Sequence, residues 1–373
     1  MRRFLSLVAL VVLAACAPKS VKLIPAAAFE TEIDGKPVSL YTISGGGLTA
    51  QITNYGARVV SLWAPDRDGS MRDVVIGRAN IDDYVNGPGE RFLGACVGPV
   101  ANRIGGAAFT LDGVDYELEK NDGENTLHGG FLGIDRLVWD VVDQSPESLK
   151  LQVVHPDGLG GFPGNKTICV RYTLTPAHDL KVEFEAVTDA PTPINLAHHP
   201  FFNLKGSGEG DILGHEMQIF ASAVTAVDEN LIPLGQAVII DGGPLDFRKP
   251  RPIGQFVDAD DEQLRHGHGY DHNWIIDVDG SKAMSLDARV VDPVSGRILE
   301  VYSDQPGLQF YSGNFFGDGK TVDKYGNVIA FRGAFALETQ KFPDAVHHPD
   351  FPDTILRPGD VYKHSCLYRF SCK

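Results

Sequence analysis

Two neighbouring histidines precede a proline in residues 195–204, which read Asn-Leu-Ala-His-His-Pro-Phe-Phe-Asn-Leu. Pro200 favours an extended backbone at His199, and successive side chains of a strand point to opposite faces. We therefore expect His198 and His199 to diverge, so that only one of them faces a given cleft. A histidine held among aromatic side chains can donate a proton near neutral pH. A core histidine bonded to the backbone explains this segment equally well.

A glutamate stands inside the apolar segment Ala336-Leu-Glu-Thr-Gln, near the C-terminus. Burial would raise the pKa of Glu338 from its reference value of roughly 4.3 toward the range of a general base. The alternative interpretation is a buried glutamate that neutralises a structural arginine. Together, Glu338 and a strand histidine are candidates for a proton acceptor and a proton donor.

Further polar residues lie where they could bind a hydroxylated ligand. Arg103 precedes a short strand and carries a forked donor, although a surface salt bridge would also explain it. His128 is followed by two glycines, which permit close backbone approach to a ligand and are equally typical of a plain turn. Gln309 and Tyr311 alternate with apolar neighbours, so both should face one cleft. Amides beside aromatic surfaces are typical of sugar sites.

The segment His266-Gly-His-Gly-Tyr-Asp271 resembles a metal-binding tract, because His266, His268 and Asp271 could supply nitrogen and oxygen ligands. No helix of the HExxH type accompanies it, and its glycines suggest a loop. We therefore expect no functional metal. Asp271 is better explained as a buried carboxylate that accepts hydrogen bonds from sugar hydroxyls.

The elements that must position these side chains are short strands joined by tight turns. Asp-Gly pairs at 34–35, 68–69 and 112–113 lie between alternating segments, which is a strong hairpin signal. The 41 glycines and 23 prolines fit many turns, and amphipathic helices are absent. We predict an all-β fold, a large antiparallel β-sandwich. The net charge of −16 argues against a nucleic-acid partner.

The first residues read as a targeting segment. Two arginines precede an apolar run too short to span a bilayer permanently, and Leu13-Ala-Ala-Cys16 fits the lipobox of bacterial lipoproteins. We therefore expect a signal peptide over residues 1–15, acylation at Cys16, a tether over residues 16–28 and one sandwich domain over residues 29–373. The expected location is the bacterial cell envelope, with the protein anchored to a membrane on the periplasmic side, favouring the outer membrane.

Six ordered motifs resemble the aldose 1-epimerase family, the galactose mutarotases. They include Ala-Asn-Arg-Ile at 101–104, Asn-Thr-Leu-His-Gly-Gly at 125–130, His-Pro-Phe-Phe-Asn-Leu at 199–204 and Leu-Glu-Thr-Gln-Lys-Phe-Pro-Asp-Ala at 337–345. The resemblance implies a large β-sandwich in which His199 is the catalytic acid and Glu338 the catalytic base. The sugar-binding positions that it implies are Asn102, Arg103, His128, Asp271 and Gln309.

The implied reaction interconverts the α and β anomers of free aldohexoses such as glucose and galactose, and it needs no cofactor because only protons move. Three alternatives stay open. A related enzyme would act on another or a phosphorylated sugar. A glycoside hydrolase would pair Glu338 with Asp271. A non-catalytic lipoprotein would bind sugar only, a role that does not need both His199 and Glu338.

Overall fold

The computed structural model describes residues 21–278 and 280–373, which form 29 strands, two α-helices and six 3-10 helices. The short helices α1 and α2 cover Ile81–Val85 and Glu262–Gly267, and the 3-10 helices cover Ala26–Ala28, Gly105–Ala107, Ile134–Arg136, Leu159–Gly161, Ile253–Gln255 and Ala345–His347. None of the helices in these described ranges is long and apolar enough to cross a membrane.

The strands of the N-terminal half are β1 Thr31–Ile33, β2 Lys36–Val38, β3 Leu40–Gly45, β4 Leu48–Thr53, β5 Arg58–Pro65, β6 Met71–Asp73, β7 Ala95–Val97, β8 Arg103–Ile104, β9 Ala108–Leu111, β10 Val114–Glu117, β11 Thr126–Leu127, β12 Asp140–Gln144, β13 Ser148–His155, β14 Lys166–Leu174 and β15 Asp179–Thr188. The predicted hairpins at 34–35, 68–69 and 112–113 are confirmed as the β1–β2, β5–β6 and β9–β10 turns.

The remaining strands are β16 Thr192–Pro193, β17 Ala197–His199, β18 Phe201–Phe202, β19 Glu216–Ile219, β20 Ala221–Val227, β21 Pro233–Ile239, β22 Arg251–Pro252, β23 Asp271–Ile276, β24 Ser285–Val291, β25 Arg297–Ser303, β26 Gly307–Tyr311, β27 Phe335–Gln340, β28 Ile355–Leu356 and β29 Tyr362–Cys372. Every pair of these named strands that is hydrogen-bonded runs antiparallel.

One layer of the fold is a nine-stranded sheet in the order β12-β13-β14-β15-β29-β25-β24-β19-β22. Its central strands alternate between buried and partly exposed side chains, as the period-2 pattern of their sequences predicts. The buried face of these strands carries aliphatic and aromatic side chains such as Val170, Phe184 and Tyr368. That face is therefore one wall of the core.

The opposite layer contains a six-stranded sheet, β18-β27-β26-β23-β20-β21, and a four-stranded sheet, β3-β4-β5-β6. Leu337 and Phe310 of the six-stranded sheet, and Ile52 of the four-stranded sheet, belong to the same buried cluster as the nine-stranded face. Sheets that share one core in this way form a sandwich. The predicted all-β sandwich is confirmed.

Three strands of the six-stranded sheet are buried on both faces. The side chains of β26 and β27 are all buried, and those of β23 nearly all. One face of each strand packs into the core, so the other face must be covered by loops and by the short strands β7 and β17. Polar side chains on that second face are consequently desolvated, which is where the chemistry of the protein can be placed.

The C-terminal end of the expected tether, residues 16–28, contacts the sandwich. The backbone N–H of Ile24 donates to the Gln51 side chain at 2.8 Å, and the Gln51 amide donates back to the Ile24 carbonyl at 2.9 Å. Ile24 is buried in a hydrophobic cluster with Phe29. The chain is thus packed on the sandwich from Ile24 onward. Cys16 and residues 1–20 lie outside the described residues.

Candidate active site

The covered face of β23, β26 and β27 gathers three of the predicted site residues. Gln309 pairs with Glu338 on one side and with Asn273 on the other, and Asp271 pairs with Tyr311. The Gln309 amide donates to Asp271 Oδ1 at 2.7 Å. Because Leu337 and Phe310 point into the core, Glu338 and Gln309 must point to the opposite face. Glu338 is only 2% exposed.

His199 reaches this face from β17, which pairs with β7. Its Nε2 atom lies 3.2 Å from Glu338 Oε1, and its ring packs 4.7 Å from Phe201. His198 points the other way, with its ring 5.5 Å from Tyr172 and 5.6 Å from Tyr368 in the core. The predicted divergence of the two histidines is confirmed, and the structure brings His199, not His198, to Glu338.

His128 and Asn102 are joined by two hydrogen bonds beside His199. The His128 N–H donates to the Asn102 carbonyl at 2.9 Å, and the Asn102 N–H donates to His128 Nδ1 at 3.0 Å. The His128 ring meets the His199 ring edge-on at 5.2 Å. The side-chain oxygen of Asn102 accepts the Arg103 N–H at 2.9 Å. Asn102 therefore contributes to the site by holding its neighbours.

Arg103 is also in the site, although one of its donors is already used. Its Nε atom donates to Asp122 Oδ2 at 2.7 Å, and its side chain is 10% exposed. Burial raises the pKa values of Asp271 and Glu338, and the positive charge of Arg103 partly opposes this rise. The salt bridge that the sequence offered as an alternative is present with Asp122, and the site role of Arg103 stays a prediction.

Burial governs the proton affinities of the site. It raises the pKa of Glu338 well above the ordinary carboxyl value, with further increases from Asp271 and Glu90. Burial also lowers the pKa of His199 to about 3. Each group alone is thereby driven to its neutral form. Since their atoms lie 3.2 Å apart, we describe the two groups as one coupled pair whose protons are not assigned to either residue separately.

Two residues of the site carried no signal in the sequence. The Phe92 ring lies 4.6 Å from the His128 ring and 6.1 Å from the His199 ring, nearly parallel to the latter. Glu90 accepts the Phe92 N–H at 2.8 Å. Both residues belong to the loop between α1 and β7, which no motif marks and which only the folded chain brings to the histidines.

The predicted histidine tract does not converge. His266 Nδ1 lies 3.0 Å from the Val227 carbonyl oxygen, and the His268 ring packs against Phe315, while Asp271 accepts the hydrogen bond from Gln309. Within residues 21–278 and 280–373, the set suited to a metal is His128, His199 and Glu338, whose ligand atoms lie within 4.8 Å of one another. The Nδ1 lone pair of His128 is, however, already used by the Asn102 N–H.

Known proteins resemble this chain in sequence and in fold. Galactose mutarotase of Rattus norvegicus is 41% identical over 90% of this chain and 95% of its own length. Aldose 1-epimerase of Escherichia coli is 35% identical over 90% of this chain and 96% of its own. The crystal structure of galactose 1-epimerase from Lactobacillus acidophilus superposes with a TM-score of 0.79 at 27% identity, covering 92% of this chain and 97% of that one.

The aldose 1-epimerase family matches residues 39–369, which include every candidate site residue named above except Cys16. Both the family match and the identity to the rat and bacterial relatives extend over most of the chain. The sandwich, the buried His199–Glu338 contact and these matches agree, and the chain therefore belongs to the aldose 1-epimerase family of isomerases.

Proposed function

We propose that this protein interconverts the α and β anomers of free aldohexoses such as glucose and galactose, with His199 and Glu338 as its catalytic pair. The observation that carries the proposal is the 3.2 Å contact between His199 Nε2 and Glu338 Oε1, two buried side chains. A donor and an acceptor that share one proton can add a proton at one sugar oxygen while removing one at another.

The reaction balances with this pair alone. Glu338 takes the proton of the anomeric hydroxyl as the bond between C1 and the ring oxygen breaks, and His199 gives its proton to that ring oxygen. The open-chain aldehyde then rotates about the C1–C2 bond. On reclosure, Glu338 returns a proton to the C1 oxygen and His199 recovers one from the attacking hydroxyl. The pair ends with the protons it began with.

The remaining polar residues are suited to hold the pyranose. Asp271 and Gln309 are already oriented by their mutual 2.7 Å hydrogen bond, Arg103 by Asp122 and His128 by Asn102. A constellation whose side chains are locked before the ligand arrives loses little entropy on binding. We assign sugar binding to these residues.

A free sugar suits the site better than a phosphorylated one. Arg103, whose positive charge acts on Glu338, is paired with Asp122, and Asp271 and Glu90 are further acidic groups that act on Glu338. A phosphate dianion would meet this acidic surrounding, with like charges close by, and would lose affinity.

Polarimetry tests the proposal directly. Freshly dissolved α-D-glucose and α-D-galactose should approach their equilibrium rotation faster with purified protein lacking its first sixteen residues than without protein. Glucose 6-phosphate should be accelerated much less. If the folded protein accelerates the mutarotation of neither free sugar, the proposal fails. Faster mutarotation of glucose 6-phosphate than of the free sugars would indicate an epimerase of phosphorylated sugars instead.

We also propose that the protein is a lipoprotein of the bacterial envelope, anchored through Cys16 and facing the periplasm. Support comes from the Leu-Ala-Ala-Cys motif and the preceding arginine-led apolar run. Mass spectrometry of the native protein should show an acylated N-terminal Cys16. Cys16→Ser should move the protein out of the membrane fraction, and an unmodified, soluble native protein would contradict the assignment.

A further inference from the structure

A third acidic side chain, Glu90, lies in the loop between α1 and β7, two residues before Phe92. Its Oε1 atom accepts the N–H of Phe92 at 2.8 Å, and the Phe92 ring contacts the rings of both site histidines. The backbone N–H of Arg91 is a second partner of this carboxylate. Both bonds hold the loop, and a carboxylate with four lone pairs keeps acceptor capacity for a ligand.

The backbone around Glu90 is fixed from two directions. Buried Arg78 donates to the carbonyls of Pro88 and Glu90 on one side and to that of Val322, at 3.1 Å, on the other. The Glu90 N–H donates to Thr321 Oγ1 at 3.0 Å. This anchoring means that the carboxylate is presented by a preorganised loop, as a binding residue requires.

The next residue fixes the far end of the same loop. Arg91 binds both carboxylate oxygens of Asp135, at 2.8 and 2.9 Å, and its guanidinium lies 4.9 Å from the Phe92 ring centroid. Asp135 is fully buried and also binds Arg58. A buried ion pair of this kind is costly to break, so the position of Phe92, and with it the carboxylate that caps Phe92, is tightly defined.

The charge of Glu90 changes the pKa values of two residues on the proposed sugar-binding face. It contributes, after burial and Asp271, to the raised pKa of Glu338, and it also contributes, after burial, to the raised pKa of Tyr311. Arg103 opposes this effect at Glu338. Burial raises the pKa of Glu90 itself, while backbone hydrogen bonds from Phe92 and Arg91 and the charges of Arg58 and Arg78 lower it. The geometry that ties this carboxylate to the site is its bond to Phe92, whose ring packs on His128 and His199.

We propose that Glu90 is a specificity-determining residue, whose carboxylate accepts a hydrogen bond from one hydroxyl of the bound aldose. The identity of the ligand rests on the function proposed above. Hydrogen bonds to an ionised group are stronger than those between neutral groups. A site that provides an acceptor for one hydroxyl discriminates against a sugar that lacks that hydroxyl, because the acceptor is then left without a partner.

Glu90→Gln tests this assignment, since glutamine keeps the shape and can still accept the Phe92 N–H while losing the charge. We expect kcat/KM for galactose to fall about tenfold. The same comparison is made with 2-, 3-, 4- and 6-deoxygalactose. For one of these sugars the substitution should have almost no effect, which identifies the hydroxyl that Glu90 binds. Asp211→Asn is a matched control, because Asp211 also caps the N–H two residues later, on an exposed loop.

Two further readouts separate a sugar contact from a structural role. Glu90→Gln should move the alkaline limb of the kcat/KM profile to lower pH, because one negative neighbour of Glu338 is lost while Asp271, Arg103 and His199 remain. Calorimetric titration with galactose and the four deoxy sugars measures affinity without requiring turnover. Glu90→Gln should weaken the binding of every sugar except the same one deoxygalactose that is unaffected in the kinetics.

The outcomes distinguish this inference from the proposed function. An equal effect of Glu90→Gln on galactose and on all four deoxy sugars, in kinetics and in calorimetry, would overturn the sugar contact while mutarotation stands. Absence of mutarotation by the native protein would overturn the function. In that case the calorimetric series still decides whether Glu90 binds a sugar hydroxyl.

Discussion

The backbone N–H of Asn102 donates a hydrogen bond to Nδ1 of His128 at 3.0 Å, and the His128 N–H returns one to the Asn102 carbonyl at 2.9 Å. A ring nitrogen that accepts must carry a lone pair, so the proton of the neutral ring lies on Nε2. Burial and the charge of His199 lower the His128 pKa well below its usual value. His128 is consequently a fixed hydrogen-bond donor and does not share the titration of the catalytic pair.

This tautomer predicts an asymmetry between two substitutions of His128. The amide nitrogen of glutamine can take the place of Nε2–H, whereas asparagine is too short to reach it. We expect His128→Asn to lower kcat/KM by roughly 10²-fold, the cost of removing one preorganised donor, and His128→Gln to lose about tenfold less. Steady-state kinetics of both variants checks the order, and the reverse order would place the donated proton on Nδ1.

Removal of either member of the catalytic pair should abolish most of the turnover. His199→Asn and Glu338→Gln keep the approximate shapes of the side chains but remove proton transfer, and each should lower kcat by roughly 10²–10⁴-fold. Polarimetric rates and circular dichroism together show whether activity is lost from a folded protein.

His198 supplies the control for that experiment. It adjoins His199 in sequence but packs between Tyr172 and Tyr368, so His198→Asn should affect thermal stability much more than kcat. If His198→Asn were inactive and His199→Asn active, the assignment of His199 rather than His198 to the site would be wrong. Full activity in both His199→Asn and Glu338→Gln would contradict the proposed chemistry itself.

The pH profile should be a broad bell. For isolated groups the acid limb would follow Glu338 and the alkaline limb His199, whereas for this pair we expect the acid limb to follow His199 and the alkaline limb to follow Glu338. Activity needs one proton on the pair. It is lost in acid when a second proton binds, which the lowered pKa of His199, about 3, delays to low pH. It is lost in alkali when the only proton leaves, which the raised pKa of Glu338 delays to high pH. An acid limb that survives in His199→Asn and disappears in Glu338→Gln would reverse this assignment.

Chelators should leave mutarotation unchanged. The His128 Nδ1 lone pair is used by Asn102, and its Nε2 carries the proton, so neither nitrogen of this ring is available to a metal without breaking that bond. Rates measured before and after dialysis against EDTA, with metal analysis of the protein, check this. Activity that is lost on chelation and restored by one metal would make His199 and Glu338 candidate ligands.

Gly307 is required by packing beneath the site. A Cβ atom there would lie 2.4 Å from Asn273 Oδ1 and 3.1 Å from the Gln340 carbonyl oxygen. Gly307→Ala should therefore lower the free energy of unfolding by about 1–3 kcal/mol and reduce kcat by displacing Gln309, two residues later. Urea denaturation measures the first effect. Gly113→Ala, at an open hairpin turn, separates steric overlap from the strain of a positive φ.

Local chemistry explains what could be predicted from the sequence alone. The Asp-Gly turns and the alternation of strands such as β14 and β29 follow from backbone sterics and the period of two, so the sandwich could be expected. The same period separated His198 from His199, and the apolar neighbours of Glu338 indicated that it is buried. Cys16 is likewise a statement of sequence alone, and it stays a prediction.

Only the tertiary structure decided which side chains meet. His199 and Glu338 are 139 positions apart in the sequence, and their contact depends on how β17 crosses the face of β27. The Asn102–His128 pair needs two positive-φ residues on different loops to approach each other, and Glu90 and Phe92 are positioned by arginines and by Thr321 from distant segments. Ile24 docks for the same reason. Periodicity fixes which face a residue occupies, whereas loop placement depends on long-range packing, which short-range patterns do not encode.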